Sequence, residues 1–304
     1  MSNLDLAAST TAGELDPVWR SVSRSAAFEA FEAGSMPDQS EEIWRYVDLG
    51  FDLNRFTTAT TDAPDLGDDP LLEHLSRPIA VRVIGDEYVG ADHVADGFAA
   101  MSLRRAAVDH PDTVREVVER AGVSARDGIF AAAAGAFGGD GVFVHVGPSV
   151  VAPSVVAIDL RAGADGSVTF PAVVVAADEH ADVSIVVHLR SHPNAETIAI
   201  PQFSTVVGAG ARVSLSLVQN LGYAARSLGY LRSAVGADAR FQFGEIGLGG
   251  RLARLHLDVG LEGRGSSANV VGAYFGEQHQ VLDYRYFMRH IGTHTRSDMF
   301  LKGA

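Results

Sequence analysis

A tripeptide of the form Ala-x-[Val/Phe] recurs through the second half of the chain at a nearly fixed interval. Copies stand at Ala181-Asp182-Val183, Ala211-Arg212-Val213, Ala239-Arg240-Phe241 and Ala268-Asn269-Val270, separated by 30, 28 and 29 residues. The copies lie among short runs rich in Val, Ile and Leu: VFVHV (142–146), VVAIDL (155–160), VSIVVHL (183–189), VSLSLV (213–218) and LHLDVGL (255–261). Such runs, bounded by Gly, Ala, Asp and Asn, are strand signals. A fixed period of this size implies stacked units whose cores are completed only by their neighbours. The L-x-x-L-x-L-x-x-N frame of leucine-rich repeats is missing, and propeller blades are longer and bring aromatic signatures. The pattern therefore predicts a mainly β chain wound as a β-solenoid, with small residues at the corners. An irregular β-sandwich with evenly spaced turns is the alternative.

Upstream the periodicity is helical. Asp16-Pro17 followed by Val18, Trp19, Val22, Ala26, Phe28 and Phe31 predicts a helix capped by Asp16, with Pro17 as its first residue and Gly34 as its end. Asp112–Ala121 carries Val114, Val117 and Val118 on one face, with Asp112 as the expected cap and Gly122 as the stop. Residues 57–70 (TTATTDAPDLGDDP) read as an acidic loop or linker, and Ile79–Ile84 as a strand turning at Gly85-Asp86. The expected organisation is a smaller helical and mixed region over 1–135 and a solenoid core over 136–304.

Composition removes several functions. With 24 basic and 38 acidic side chains, the net charge of −14 argues against nucleic acid as a partner. There is no cysteine, hence no disulfide, thiolate zinc site, cysteine nucleophile or cysteine-held cluster on this chain. No apolar run reaches the length of a membrane helix, and residues 1–16 lack a signal-peptide pattern, so a cytoplasmic protein with no membrane partner is expected. H-E-x-x-H, G-x-S-x-G and G-x-x-x-x-G-K-[ST] are all absent. His188 and His192 fall in and just after a strand-like run, where a surface or loop role is expected rather than metal ligation. His290 and His294, with Asp283 and Asp298 nearby, are the candidate metal residues, since imidazole with carboxylate suits zinc or iron. Hydrogen bonding to a neighbouring coil is the competing reading of that pair. The glycines of 138–141 and 247–250 are expected at corner turns rather than in phosphate cradles.

Pro37 followed by Glu41-Glu42-Ile43-Trp44-Arg45-Tyr46-Val47-Asp48-Leu49 resembles the E-x-W-R-Y-x-D-L segment of the SufB/SufD family of iron–sulfur cluster assembly proteins. FAAAAGAFGGDGVFVHV (130–146) resembles that family's passage into its core. Residues 247–304, with Gln280, Asp283, His290, Thr295, Ser297, Lys302 and Gly303, resemble the distal core. The missing cysteines and the short N-terminal region look more like the SufD branch than SufB. The resemblance implies a right-handed parallel β-helix after a helical N-terminal region. It also implies a non-catalytic scaffold rather than an enzyme, pairing with a SufB-like paralogue and a SufC-like ABC-type ATPase. The iron–sulfur cluster would be assembled transiently in that complex, with no cofactor resident on this chain. Asp283, His290 and His294 are the expected partner-interface residues.

Two departures bear on this. Ala134 stands where the family usually has Asn. The chain stops at Lys302-Gly303-Ala304, inside a segment that the family continues, so a fragment without the ATPase-docking region, ending on an uncovered strand edge, is expected. A β-helix carbohydrate-active enzyme and a purely structural solenoid are the readings from other classes.

Overall fold

From residue 141 onward the chain winds between two parallel sheets, about six turns of a β-solenoid over 141–303. The computed structural model describes residues 3–58 and 65–304. The first sheet stacks Gly141–Val146, Ala172–Ala177, Gln202–Val207, Arg226–Val235, Leu252–Leu261 and Val281–His290. The second stacks Ile79–Ile84, Val156–Arg161, Asp182–Arg190, Arg212–Asn220, Arg240–Gly247, Ser267–Tyr274 and Arg296–Gly303. Every pairing in both stacks is parallel, so each strand needs the coils on either side to satisfy its backbone. Side chains alternate in and out. The inward columns are apolar, for example Ile158, Val187 and Leu217 across three coils.

The repeat in the sequence marks one corner of this winding. Ala181, Ala211 and Ala239 each end a four-residue turn, their N–H groups donating to the carbonyls of Asp178, Gly208 and Gly236 at 3.1, 3.1 and 3.3 Å. The third residue of each turn is left-handed: His180, Gly210, Asp238, Gly265 and His294 have φ of 60, 67, 54, 74 and 59°. The fourth copy differs from the sequence reading. Strand pairing aligns Arg240 with Ser267, so Ser266 occupies the corner and Ala268 sits two residues further on, opposite Phe241. A shift of two preserves the in–out alternation, which is why the pattern alone could not detect it.

Side chains and glycines alternate along this corner. A Cβ on Gly210 would collide with the His180 ring, and one on Gly265 with the Asp238 carboxylate. Gly210→Ala is therefore expected to cost about 2–4 kcal/mol, from the left-handed backbone and the lost space together. In a His180→Gly background only the backbone cost of about 1–2 kcal/mol should remain. Urea denaturation of the four proteins checks this, and equal losses in both backgrounds would refute the stacking explanation.

Helices cover the outer side of the first sheet. These are α1 (Leu6–Ala12), α2 (Val18–Ala33), α3 (Leu103–Asp109), α4 (Pro111–Ala121) and α5 (Ile129–Phe137). One apolar layer joins α2, α5 and residues 44–56 to Phe170, Ile198, Leu228 and Leu252. Another joins α3 and α4 to Phe143, Val174, Val206 and Ala234. The helix starts fall one residue from the expected cap in α2 and two residues from it in α4. Pro17 is the N-cap of α2, while Asp16 accepts a 2.8 Å hydrogen bond from Arg24 Nε. His110 is the N-cap of α4, and Asp112 lies in the first turn, where its charge suits the helix dipole. Val118 is half exposed rather than buried with Val114 and Val117. Ala134 is buried in α5. Among the described residues no helix is long and apolar enough to cross a membrane.

The acidic 57–70 segment is not a free linker, although 59–64 lie outside the described residues. Thr57 and Thr58 pair with Ser167 and Val168. Residues 65–69 form a strap over the outer side of the second sheet. Arg161 and Arg190 donate to the Gly67 carbonyl at 2.7 and 3.0 Å, and His188 Nδ1 lies 2.8 Å from Asp69 Oδ2. His188 is thereby buried, contrary to the surface role expected from the sequence, while His192 stays part-exposed with its Nδ1 accepting from Asn194 N.

Candidate functional site

Asp283 opens the site. It lies in Val281–His290, directly opposite Arg254 of the preceding coil. Its carboxylate pairs closely with Arg254 Nη1 and lies 3.8 Å from Arg285 Nε. Arg254 in turn donates to the Ile43 carbonyl at 3.3 Å, and its guanidinium stands 3.9 Å from the centre of the Trp44 ring. Guanidinium groups suit both tasks at once, pairing with a carboxylate in plane while stacking on an aromatic face. The tryptophan of the Glu41–Leu49 motif is thus fixed to the solenoid by a cation–π contact with the ion-paired Arg254, with Trp44 itself buried.

Beside this contact runs a groove of about 320 Å³ lined by Ile43, Trp44, Ile129, Tyr230, Arg254 and His256. Burial first and the neighbouring Arg285 second pull the Arg254 guanidinium down to about 10, so it remains charged at neutral pH. Burial also holds the His256 imidazole below its ordinary value, leaving it neutral there, and pushes the Tyr230 phenol up to about 12. His256 stacks on Phe287 with ring centres 5.2 Å apart. A paired cation, aromatic faces and a neutral imidazole make a surface suited to docking.

His290 and His294 are not brought to this groove. His290 is seven residues along the same strand from Asp283, about 23 Å away at strand rise. Its Nδ1 and Nε2 are engaged by the hydroxyls of Thr295 and Ser297 at 2.7 and 2.9 Å. His294 holds the left-handed corner position that glycine holds in two earlier coils. Among the described residues no group of three or more His, Cys, Asp or Glu is placed to hold a metal ion.

Sequence reasoning missed an acid inside the solenoid. In Arg240–Gly247, Phe241, Phe243 and Glu245 alternate inward, and Glu245 takes the place that Leu217, Val187 and Ile158 fill in earlier coils. Its carboxyl accepts the hydroxyl of Tyr286, which occupies the matching inward column of the first sheet after Phe203, Leu231 and Leu257. Tyr284 is also inward, its hydroxyl lying against Gly247 with no room for a Cβ. Burial pushes Glu245 up to about 8, only partly opposed by the Tyr286 hydrogen bond. It pushes both tyrosines well above the usual phenol range. Strict alternation through FQFGE was the available signal.

Among curated proteins none matches this chain. The last five strands of each sheet stack lie within one matched span, and Val156–Arg161 before them overlaps its start. Residues 160–304 match the family model of the SUF system FeS cluster assembly SufBD core domain, which supports a role in Fe–S cluster assembly.

Proposed function

We propose that the chain is a non-catalytic scaffold subunit of the SufD-like branch, working in the cytoplasm beside a SufB-like paralogue and a SufC-like ABC ATPase. The observation carrying this reading is that the SufBD core match falls on the solenoid itself. The absence of cysteine fits a division of labour, because sulfur-bearing cluster ligands then come from a partner. The nascent cluster is cargo of the assembled complex. The proposed partner face is the last coils with Asp283, His290 and His294, and it is supported by the exposed apolar side chains of Val271, Phe275 and Phe300 there. Exposed apolar clusters of this kind mark association surfaces.

Native purification through an N-terminal tag on the chromosomal copy tests the proposal, with partners identified by mass spectrometry. Stoichiometric recovery of an ABC-type ATPase and a cysteine-bearing paralogue is the expected result. A folded bait recovered repeatedly without either partner would overturn it.

A further inference from the structure

A second cavity, of about 230 Å³, lies at the seam between the two helical layers that cover the first sheet. Its walls are apolar: Ala27 from α2, Val114 and Val118 from α4, with Leu103, Phe170 and Val174. Its polar groups are dominated by donors. Trp19 Nε1 and Gln202 Nε2 line it, both buried and without a hydrogen-bond partner; Arg20 also lines it, its Nη1 3.5 Å from Asp16 Oδ1 and its Nη2 donating to the Gly139 carbonyl at 3.3 Å. Asp140, the acid on its wall, is already committed. Its oxygens accept from the Ser102 hydroxyl at 2.7 Å, from Arg104 N at 2.8 Å and from Gly141 N at 2.7 Å. Arg24 is likewise satisfied by Asp16 and the Ala136 carbonyl.

Two unmatched donors, Trp19 Nε1 and Gln202 Nε2, in one apolar pocket are costly, because each buried N–H without an acceptor forfeits its hydration. Arg20 and Arg24 share the Asp16 carboxylate at 3.5 and 2.8 Å, so neither is fully engaged by it. The cavity is smaller than those that take drug-sized ligands. We propose that it binds a small organic monocarboxylate, with the carboxylate at Arg20, Trp19 Nε1 and Gln202 Nε2 and a body about the size of a phenyl ring between Val114 and Phe170. Such a ligand supplies acceptors to the unpaired donors and fills the apolar volume. This site lies outside the Arg254 groove and the solenoid interior, and the proposal does not depend on the assembly role.

Titration calorimetry on the full chain tests it with 3-phenylpropionate and its neutral analogue 3-phenylpropan-1-ol. The carboxylate should bind about tenfold or more tightly than the alcohol, the margin expected for charge-assisted hydrogen bonds. Gln202→Leu should weaken the carboxylate several-fold and leave the alcohol unchanged. Ser23 is an exposed residue at the rim, so Ser23→Trp should fold normally and block both probes. Equal affinity for the two probes, undiminished binding to Ser23→Trp, or no binding of either probe to the wild-type chain would each overturn the proposal. In the last case the cavity holds water alone.

Discussion

Replacing Asp159 by Ala is expected to remove about 3–5 kcal/mol of folding stability, the cost of stranding buried cations without their anion. Asp159 is 3% exposed and sits between Arg161 and Arg190, themselves 3% and 8% exposed. It accepts from Arg161 Nε at 2.8 Å and from Arg190 Nε and Nη2 at 2.8 Å each, with Arg82 Nε at 3.1 Å. Burial alone pushes its carboxyl up, but the hydrogen bonds from Arg190 and Arg161 outweigh it and hold the group below the usual carboxylate range. That depressed value makes the stabilisation complete above the unfolded carboxyl pKa and lost as pH falls through the folded one. The arginines also carry the strap, through the Gly67 carbonyl. The single substitution should therefore both lower the urea midpoint and expose residues 65–69 to protease. Asp159→Leu combined with Arg161→Met and Arg190→Met should recover most of the stability, because no charge is then left buried, while the strap remains loose. A loss below about 1 kcal/mol for Asp159→Ala would mean that water, not the carboxylate, solvates these arginines.

How far the sequence could be read follows from which interactions are local. The corner at Ala181, Ala211 and Ala239 was visible because a turn and the strand after it are contiguous, and their spacing is the length of one coil. At Ala268 the small residue was inward rather than at the corner, and a period of two hides a slip of two. His188 stands at an outward strand position, so its local pattern says surface. What buries it is Asp69, 119 residues earlier, in a polar segment with no periodicity. Trp44 was recognisable only within its motif, and its partner Arg254 lies 210 residues away in a strand that gives no local sign of pairing. Asp283, a polar residue of the last coils, stands opposite Arg254. Its nearness to His290 in sequence does not become nearness in space, because a strand carries residues seven apart away from each other. Glu245 was missed although alternation alone turns it inward, because an acid in an apolar column looks like an ordinary surface residue until the strand's face is fixed by its neighbours.

Glu245→Gln should stabilise the protein by a margin that grows with pH, on the order of 4 kcal/mol by pH 8. Glu245 is 4% exposed, and burial raises its carboxyl from the ordinary 4.5 to about 8. Between those values the folded chain holds a proton that the unfolded chain releases. Stability therefore falls as pH rises from about 4.5 and levels off above about 8. Glutamine keeps the size and an acceptor for the Tyr286 hydroxyl but takes up no proton, so it escapes this decline. Asp86, raised to about 7 by burial, adds a similar slope to both proteins, and the difference between their curves isolates Glu245. For a chain of this size the gap corresponds to roughly 6 °C in melting temperature, read from thermal unfolding of both proteins across pH 5–9. Tyr286→Phe removes the one hydrogen bond that favours the ionised form, so in that background the decline should extend beyond pH 8. Parallel melting curves for wild type and Glu245→Gln would show instead that the acid is hydrated in the folded chain. The apolar column of Ile158, Val187 and Leu217 would then open to water at its fourth coil, and the solenoid would be dry only up to the strand Arg212–Asn220.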